Sequence, residues 1–274
     1  MNIIDESLNN PIPFHEKSSS ISFNDAVHAI LKIIDIGKWE YFIRKKFWKK
    51  KNYPDWIMQD LYIDYIKYVK DLDELWLRTA ENYNLTQSNS IISVEQFLFP
   101  EGTALDNLSD IEDNDILDKI ISDIIISFLI PILEKSSIML NNIESSVFFD
   151  ASLKNFAILT GKNWEIKNYY IDFFIPRIRE DNWKIKEYKW NLHKHNSDII
   201  EYRFFFKPWI INNFIRKTYL DLKKIWAKKD FINHFLEICD KLLEKYLVSF
   251  FKDKKSIDLA KTDFNISLID YEKY

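Results

Sequence analysis

Residues 148–159 read FFDASLKNFAIL and residues 169–174 read YYIDFF, and the way these two stretches are joined decides how the rest of the chain is read. Asp150 and Asn155 stand five positions apart, and Asp172 follows Asn155 by seventeen. Between them, residues 156–170 form two apolar runs separated by Gly161. Glycine accepts the positive φ of a tight reversal at no steric cost, so a hairpin turning at Gly161 is expected. A short strand is expected just before Asp150, at residues 147–149. Upstream, residues 115–141 carry apolar side chains on nearly all sides, which predicts a buried helix.

Working outward to the N-terminal side, residues 20–24, 27–35 and 39–47 read as three antiparallel strands, the last two joined by a turn at Gly37. Residues 54–83 read as one long helix opened by Pro54 in its first turn. A strand returns at 91–97, shortly before Gly102. Toward the C-terminus, residues 183–190 and 199–206 are expected to pair as a hairpin, and helices fill about 208–251. No internal repeat or low-complexity tract interrupts this order. The fold class is α+β, a small antiparallel sheet with one long helix followed by a larger, mainly helical half.

Composition sets bounds on function. The chain has 274 residues, 47% hydrophobic and 16% aromatic, which is ample material for a core. Its formal net charge of -4, with both signs interspersed, does not point to nucleic acid. The basic run RKKFWKKK at 44–51 reads as a solvated strand end or loop. One cysteine, Cys239, excludes an internal disulfide and a cysteine-based zinc site. The opening residues include Asp5 and Glu6 and no basic-then-apolar run, and residues 116–133 are too short and too charged to span a bilayer. A cytoplasmic protein with no transmembrane segment is expected.

An Asp, an Asn five residues on, a hairpin, and a further Asp in an aromatic run together resemble the protein-kinase-like superfamily, closest to its aminoglycoside and choline phosphotransferase branch. That resemblance implies a bilobal protein-kinase-like fold: a tail at 1–19, a nucleotide-binding N-lobe at 20–99 and a C-lobe at 100–274. It implies ATP and Mg²⁺ as cofactors and a small-molecule hydroxyl acceptor. Asp150 becomes the base that accepts the acceptor's proton, and Asn155 and Asp172 become the oxygen ligands of Mg²⁺. SVEQF at 93–97 becomes the strand leading into the hinge, where backbone near Glu95 and Phe97 meets adenine. Lys45, or Arg44 one register earlier, becomes the phosphate ligand, paired with Asp60 or its neighbour Asp64 from the following helix.

Departures accompany these matches. Phe148 stands where the family has a histidine or its equivalent, Phe174 occupies the third position of the metal motif, and no glycine-rich loop lies near residues 22–27. A catalytically inactive kinase-like module that binds a nucleotide or a protein partner is therefore the alternative. Arg177 and Arg179 are candidates for an anionic substrate or for pairing with Glu180 or Asp181. Glu112, Asp113 and Asp115 are acidic groups that would suit a cationic acceptor. His193 and His195 read as an exposed hairpin tip, and His234 and Cys239 as ordinary helix residues.

Overall fold

The computed structural model describes residues 27–35, 41–49, 56–79, 82–87, 91–98, 104–109, 113–138, 141–160, 165–172, 178–180, 186, 203–224 and 229–252. Within them the chain is α+β. Strands β1 (Val27–Asp35), β2 (Tyr41–Lys49), β3 (Asn82–Gln87) and β4 (Ile91–Leu98) form an antiparallel sheet in the order β1-β2-β4-β3. The β1 boundaries coincide with the expectation, and β2 lies two residues later. Helix α1 (Trp56–Glu74) leaves β2 and packs against β2, β3 and β4.

Helix α1 ends well before residue 83. Trp76 adopts the left-handed conformation at φ 62°, its amide donates to the Asp73 carbonyl at 2.9 Å, and the Leu77 amide donates to the Leu72 carbonyl at 3.3 Å. These two bonds make a Schellman ending, in which a left-handed residue lets the last carbonyls find donors. Glycine usually occupies that position, so a tryptophan gave no stop signal. The next residues then join a different layer: the Tyr170 amide donates to the Arg78 carbonyl at 2.8 Å, and Thr79 bridges Tyr170 in parallel.

The core gathers around one long, bent helical run. Helix α2 is short (Ala104–Ser109), and α3 (Asn114–Ile124) starts at Asp113, whose carboxylate caps the Asp115 amide. Leu117, Ile120, Ile121 and Ile124 follow at helical spacing and are all buried. A π-helical turn at Ile125–Leu129 then leads into α4 (Ile130–Lys135). Pro131 has no amide to donate to the turn below it, and the widened turn directly before it accommodates that loss.

After Lys135 the helix gives way to β5 (Ser137–Ile138) and β6 (Asn141–Ser145), so the helix expected to reach 141 stops earlier. The strand expected at 147–149 lies instead at β6, because Ser145 and Ser136 exchange a buried hydroxyl bond at 2.8 Å that pins the strand there. The hairpin β7 (Phe156–Thr160) and β8 (Ile166–Tyr170) pairs Phe156 with Tyr170, as the spacing around Gly161 predicts. Residues 203–205 form a 3-10 turn rather than the end of a hairpin strand. Helices α5 (Lys207–Lys224) and α6 (Lys229–Lys252) close the core, α5 against β6 and the 3-10 turn, α6 against α3.

Among the described residues no helix is long and apolar enough to cross a membrane. Residues 20–24, Gly37, Gly102, Gly161, the expected 183–190 strand apart from Lys186, and the N-terminal tail lie outside the described residues.

Candidate functional site

The loop carrying Asp150 is fixed from four directions. Phe149 is fully buried, stacked on Phe128 at 6.4 Å and tilted against Tyr170 at 4.7 Å, so the residue before Asp150 is anchored in the core. The Phe149 amide donates to the Phe204 carbonyl at 3.1 Å. Phe148 turns its ring onto Phe204 at 4.9 Å and edge-on to Tyr68 at 6.4 Å, while the Tyr68 hydroxyl donates to the Phe148 carbonyl at 2.8 Å. Aromatic packing thus holds Phe148, two positions before Asp150, in place. Beyond Asp150, a 3-10 turn at Leu153–Asn155 returns the chain toward β7.

Asn155 ties the two halves of the motif together. Its Nδ2 donates to the Asp150 carbonyl at 3.0 Å, and its own carbonyl accepts the Ile171 amide at 2.9 Å. The first bond commits the amide nitrogen inward, which leaves Oδ1 as the side chain's acceptor atom. The second extends the β7–β8 ladder by one step and sets Asp172, partly buried, directly after that closure. Burial pushes the Tyr68 and Tyr170 phenols well above their ordinary range, and the negative charges of Asp172 and Asp150 push both the same way. Geometrically, Asn155 is the link between the two segments, bonded to the Asp150 backbone on one side and to the residue before Asp172 on the other.

Two residues that the sequence did not single out complete the Asp150 environment. Helix α5 presents Asn213 and Lys217, one turn apart on one face. The Asn213 Nδ2 donates to Asp150 Oδ1 at 3.2 Å, and Lys217 Nζ lies 3.3 Å from Oδ1 and 3.4 Å from Oδ2. The Ser152 amide also donates to Oδ1 at 3.2 Å. The signal for this arrangement was the Asn212-Asn213 pair inside the apolar run WIINNFI, since a buried polar pair in a core helix needs partners.

The remaining candidates fall as follows. Lys45 and Arg44 lie in β2, where the register pairs Lys45 with Val94 and Arg44 with Glu95; Phe97 pairs with Phe42. Lys45, Glu95 and Phe97 are thus on adjacent strands. Asp60 lies on α1 with its carboxylate 4.0 Å from Lys186, and Asp64, one turn on, holds the same ammonium at 2.7 Å. Arg179 is buried, bonded to Glu144 at 3.0 Å and to the Ser145 carbonyl at 3.0 Å, with its guanidinium 4.7 Å from the Phe205 ring. Its partner is therefore Glu144 of β6, and it braces the strand before the loop. Asp113 and Asp115 form the start of α3. His234 lies 3.8 Å from Glu237 one turn along α6, and Cys239 is buried, with burial raising its thiol pKa. Phe174, Arg177, Glu112, His193 and His195 are outside the described residues.

Among the described residues no three His, Cys, Asp or Glu side chains gather as metal ligands. The sequence-expected ligands Asn155 and Asp172 would offer oxygen atoms alone, a hard donor type that suits Mg²⁺ rather than zinc. No protein-family model matches the chain, and no curated protein matches it.

Proposed function

We propose that the chain is a kinase-like phosphotransferase that moves the γ-phosphate of ATP to a hydroxyl of a small molecule, with residues 20–99 as the nucleotide-binding lobe and 100–274 as the catalytic one. The observation that carries this reading is the double bond pattern of Asn155. One hydrogen bond holds the backbone of Asp150 and another closes the hairpin onto the residue before Asp172, so the base and the two oxygen ligands share one rigid frame. Phosphoryl transfer asks little covalent chemistry of a protein and depends on positioning and charge stabilisation, which such a frame provides.

In this reading Asp150 orients the acceptor hydroxyl and takes its proton, with its carboxylate held by Ser152 and Asn213. Asn155 Oδ1 and the Asp172 carboxylate hold Mg²⁺, and Lys45 with the β4 strand at Glu95 and Phe97 receives the nucleotide. Mg²⁺ with its nucleotide supplies, when bound, neutralisation of the phosphate charge. Asp60 and Asp64 both lie against Lys186, at 4.0 and 2.7 Å, so this reading does not depend on either of them pairing with Lys45.

The test is thermal unfolding with ATP in the presence and absence of Mg²⁺, because a ligand that binds only the folded protein stabilises it by about 2.7 kcal/mol at a hundred times its Kd. A magnesium-dependent rise in Tm that disappears in Asp172→Ala is the expected outcome. A rise that ignores magnesium, or none at all, contradicts the assignment. Magnesium-dependent binding without transfer to any hydroxyl would identify the chain as the inactive nucleotide-binding alternative.

A further inference from the structure

The two oxygens of Asp150 are not equivalent. Oδ1 receives the Ser152 amide, the Asn213 amide and Lys217, whereas Oδ2 receives, among the described residues, Lys217 alone, at 3.4 Å. A carboxylate oxygen has room for about two strong donors, so Oδ1 is saturated and an incoming hydroxyl meets Oδ2. That oxygen is the one beside an ammonium, and whatever is bonded to the reacting hydroxyl comes within a few Å of the same ammonium. Lys217 is also the more open member of the pair, with 37% of its side chain exposed against 15% for Asp150. Its charge is therefore presented to a ligand as well as to the base.

The rest of α5 has the same sign. Beyond Lys217 the helix carries Lys223 and Lys224, with Arg216 beside it, against one carboxylate, Asp221, which Lys224 already approaches at 3.4 Å. Asp113 caps α3 through its carboxylate, and Asp115, whose backbone amide receives that cap, keeps its own carboxylate exposed at the start of the same helix. A cationic amine placed next to the reacting hydroxyl would meet the Lys217 ammonium beside Asp150 Oδ2 directly.

We propose that the acceptor carries an anionic group, a carboxylate or a phosphate, adjacent to its reacting hydroxyl, and that Lys217 is the residue that selects it. This rests on the phosphotransferase reading of Asp150. When such an acceptor binds, the ammonium is shared between Asp150 and the ligand anion; Asn213 and the Ser152 amide keep Oδ1 fixed meanwhile. Phe204, whose ring centre lies 6.0 Å from Lys217 Nζ, forms the apolar wall on the other side of the ammonium.

The experiment uses the full chain, MgATP and three sets of acceptors, with ADP release as readout. The sets are hydroxycarboxylates such as glycerate and tartrate, a polyol phosphate such as glycerol 3-phosphate, and amino alcohols such as choline and ethanolamine. Turnover is expected with the carboxylates or the phosphate, and which of the two reacts identifies the source of the anion. Lys217→Met should raise the KM for the reacting anion by about 10- to 100-fold while changing kcat less, because a charge-assisted contact to the ligand is lost. Lys217→Arg should recover most of that affinity. Turnover confined to amino alcohols, turnover with none of the sets, or an unchanged KM in Lys217→Met would overturn the proposal. The magnesium-dependent Tm shift with ATP alone is measured on the same samples: its presence with any of those failures sinks only the acceptor assignment, and its absence in the unmodified chain sinks the phosphotransferase reading as well.

Discussion

Asp123 and Asp150 are withdrawn from solvent to similar degrees, with 19% and 15% of their side chains exposed, and both border the β7–β8 hairpin, yet they are surrounded in opposite ways. Asp123 is closed on both oxygens. Oδ1 takes Arg78 and the Ser127 hydroxyl, and Oδ2 takes the Asn168 backbone amide at 2.7 Å and its side-chain amide at 2.8 Å. Asp150 has four contacts between 3.2 and 3.4 Å, three of them crowded on one oxygen. A carboxylate with short donors on every lone pair is a structural joint, here tying the segment after α1 to α3 and β8. One with longer contacts and an open oxygen keeps capacity for a ligand.

The comparison can be broken most sharply at Asp150. Replacing it by alanine should lower phosphate transfer by about 10² to 10⁴, the range a positioned base supplies, while leaving urea unfolding nearly unchanged, since its contacts are long and Lys217 is partly exposed. A large loss of stability would show that Asp150 is a joint like Asp123. Arg78→Ala should do the reverse. It strands a partly buried carboxylate and removes a guanidinium lying 5.6 Å from the Phe128 ring, so a loss of about 3 kcal/mol in urea unfolding is expected, with the magnesium-dependent ATP shift retained below the new Tm.

A third charge sharpens the contrast because, among the described residues, it has no carboxylate partner. Lys207 is fully buried, and its ammonium donates to the Leu133 carbonyl at 2.8 Å and to the Ser137 hydroxyl at 2.8 Å, near the C-terminal end of α4, whose dipole favours a cation. Burial lowers its pKa to about 8. Unfolding returns it to the ordinary lysine value, so between pH 8 and about 10.4 the unfolded chain binds more protons and stability rises with pH. Lys207→Met should remove a rise of about 3 kcal/mol across that window, read as the difference between the two proteins' unfolding free energies in urea. Identical pH profiles would count against a buried charged lysine.

These differences explain what was legible in the sequence. The hairpin, the α+β class and the β1 boundaries follow from alternation and glycine placement, which are local. The early end of α1 was hidden because Trp76 takes the left-handed turn that glycine usually signals. The halt of the apolar helix at Lys135 was hidden because the π turn absorbs Pro131 without ending the run, while the serines that stop it act through a bond between positions 136 and 145. In the site, the spacing of Asp150, Asn155 and Asp172 was readable because one loop and one hairpin carry them. Asn213 and Lys217 come from a helix some sixty residues on, where the Asn212-Asn213 pair signals a need for partners without naming Asp150 as the one they meet. The buried Arg179 was readable as a basic residue near the motif, but its partner Glu144 lies on β6, whose position had been expected several residues later.

The proposed magnesium site, with oxygens from Asp172 and Asn155 beside Asp150, is tested most directly by calorimetric titration of MgATP into the unmodified chain and Asp172→Ala. Saturable binding that needs magnesium and weakens at least tenfold in the variant is the predicted result. Equal affinity in the two proteins, or no binding to the unmodified chain, would contradict it.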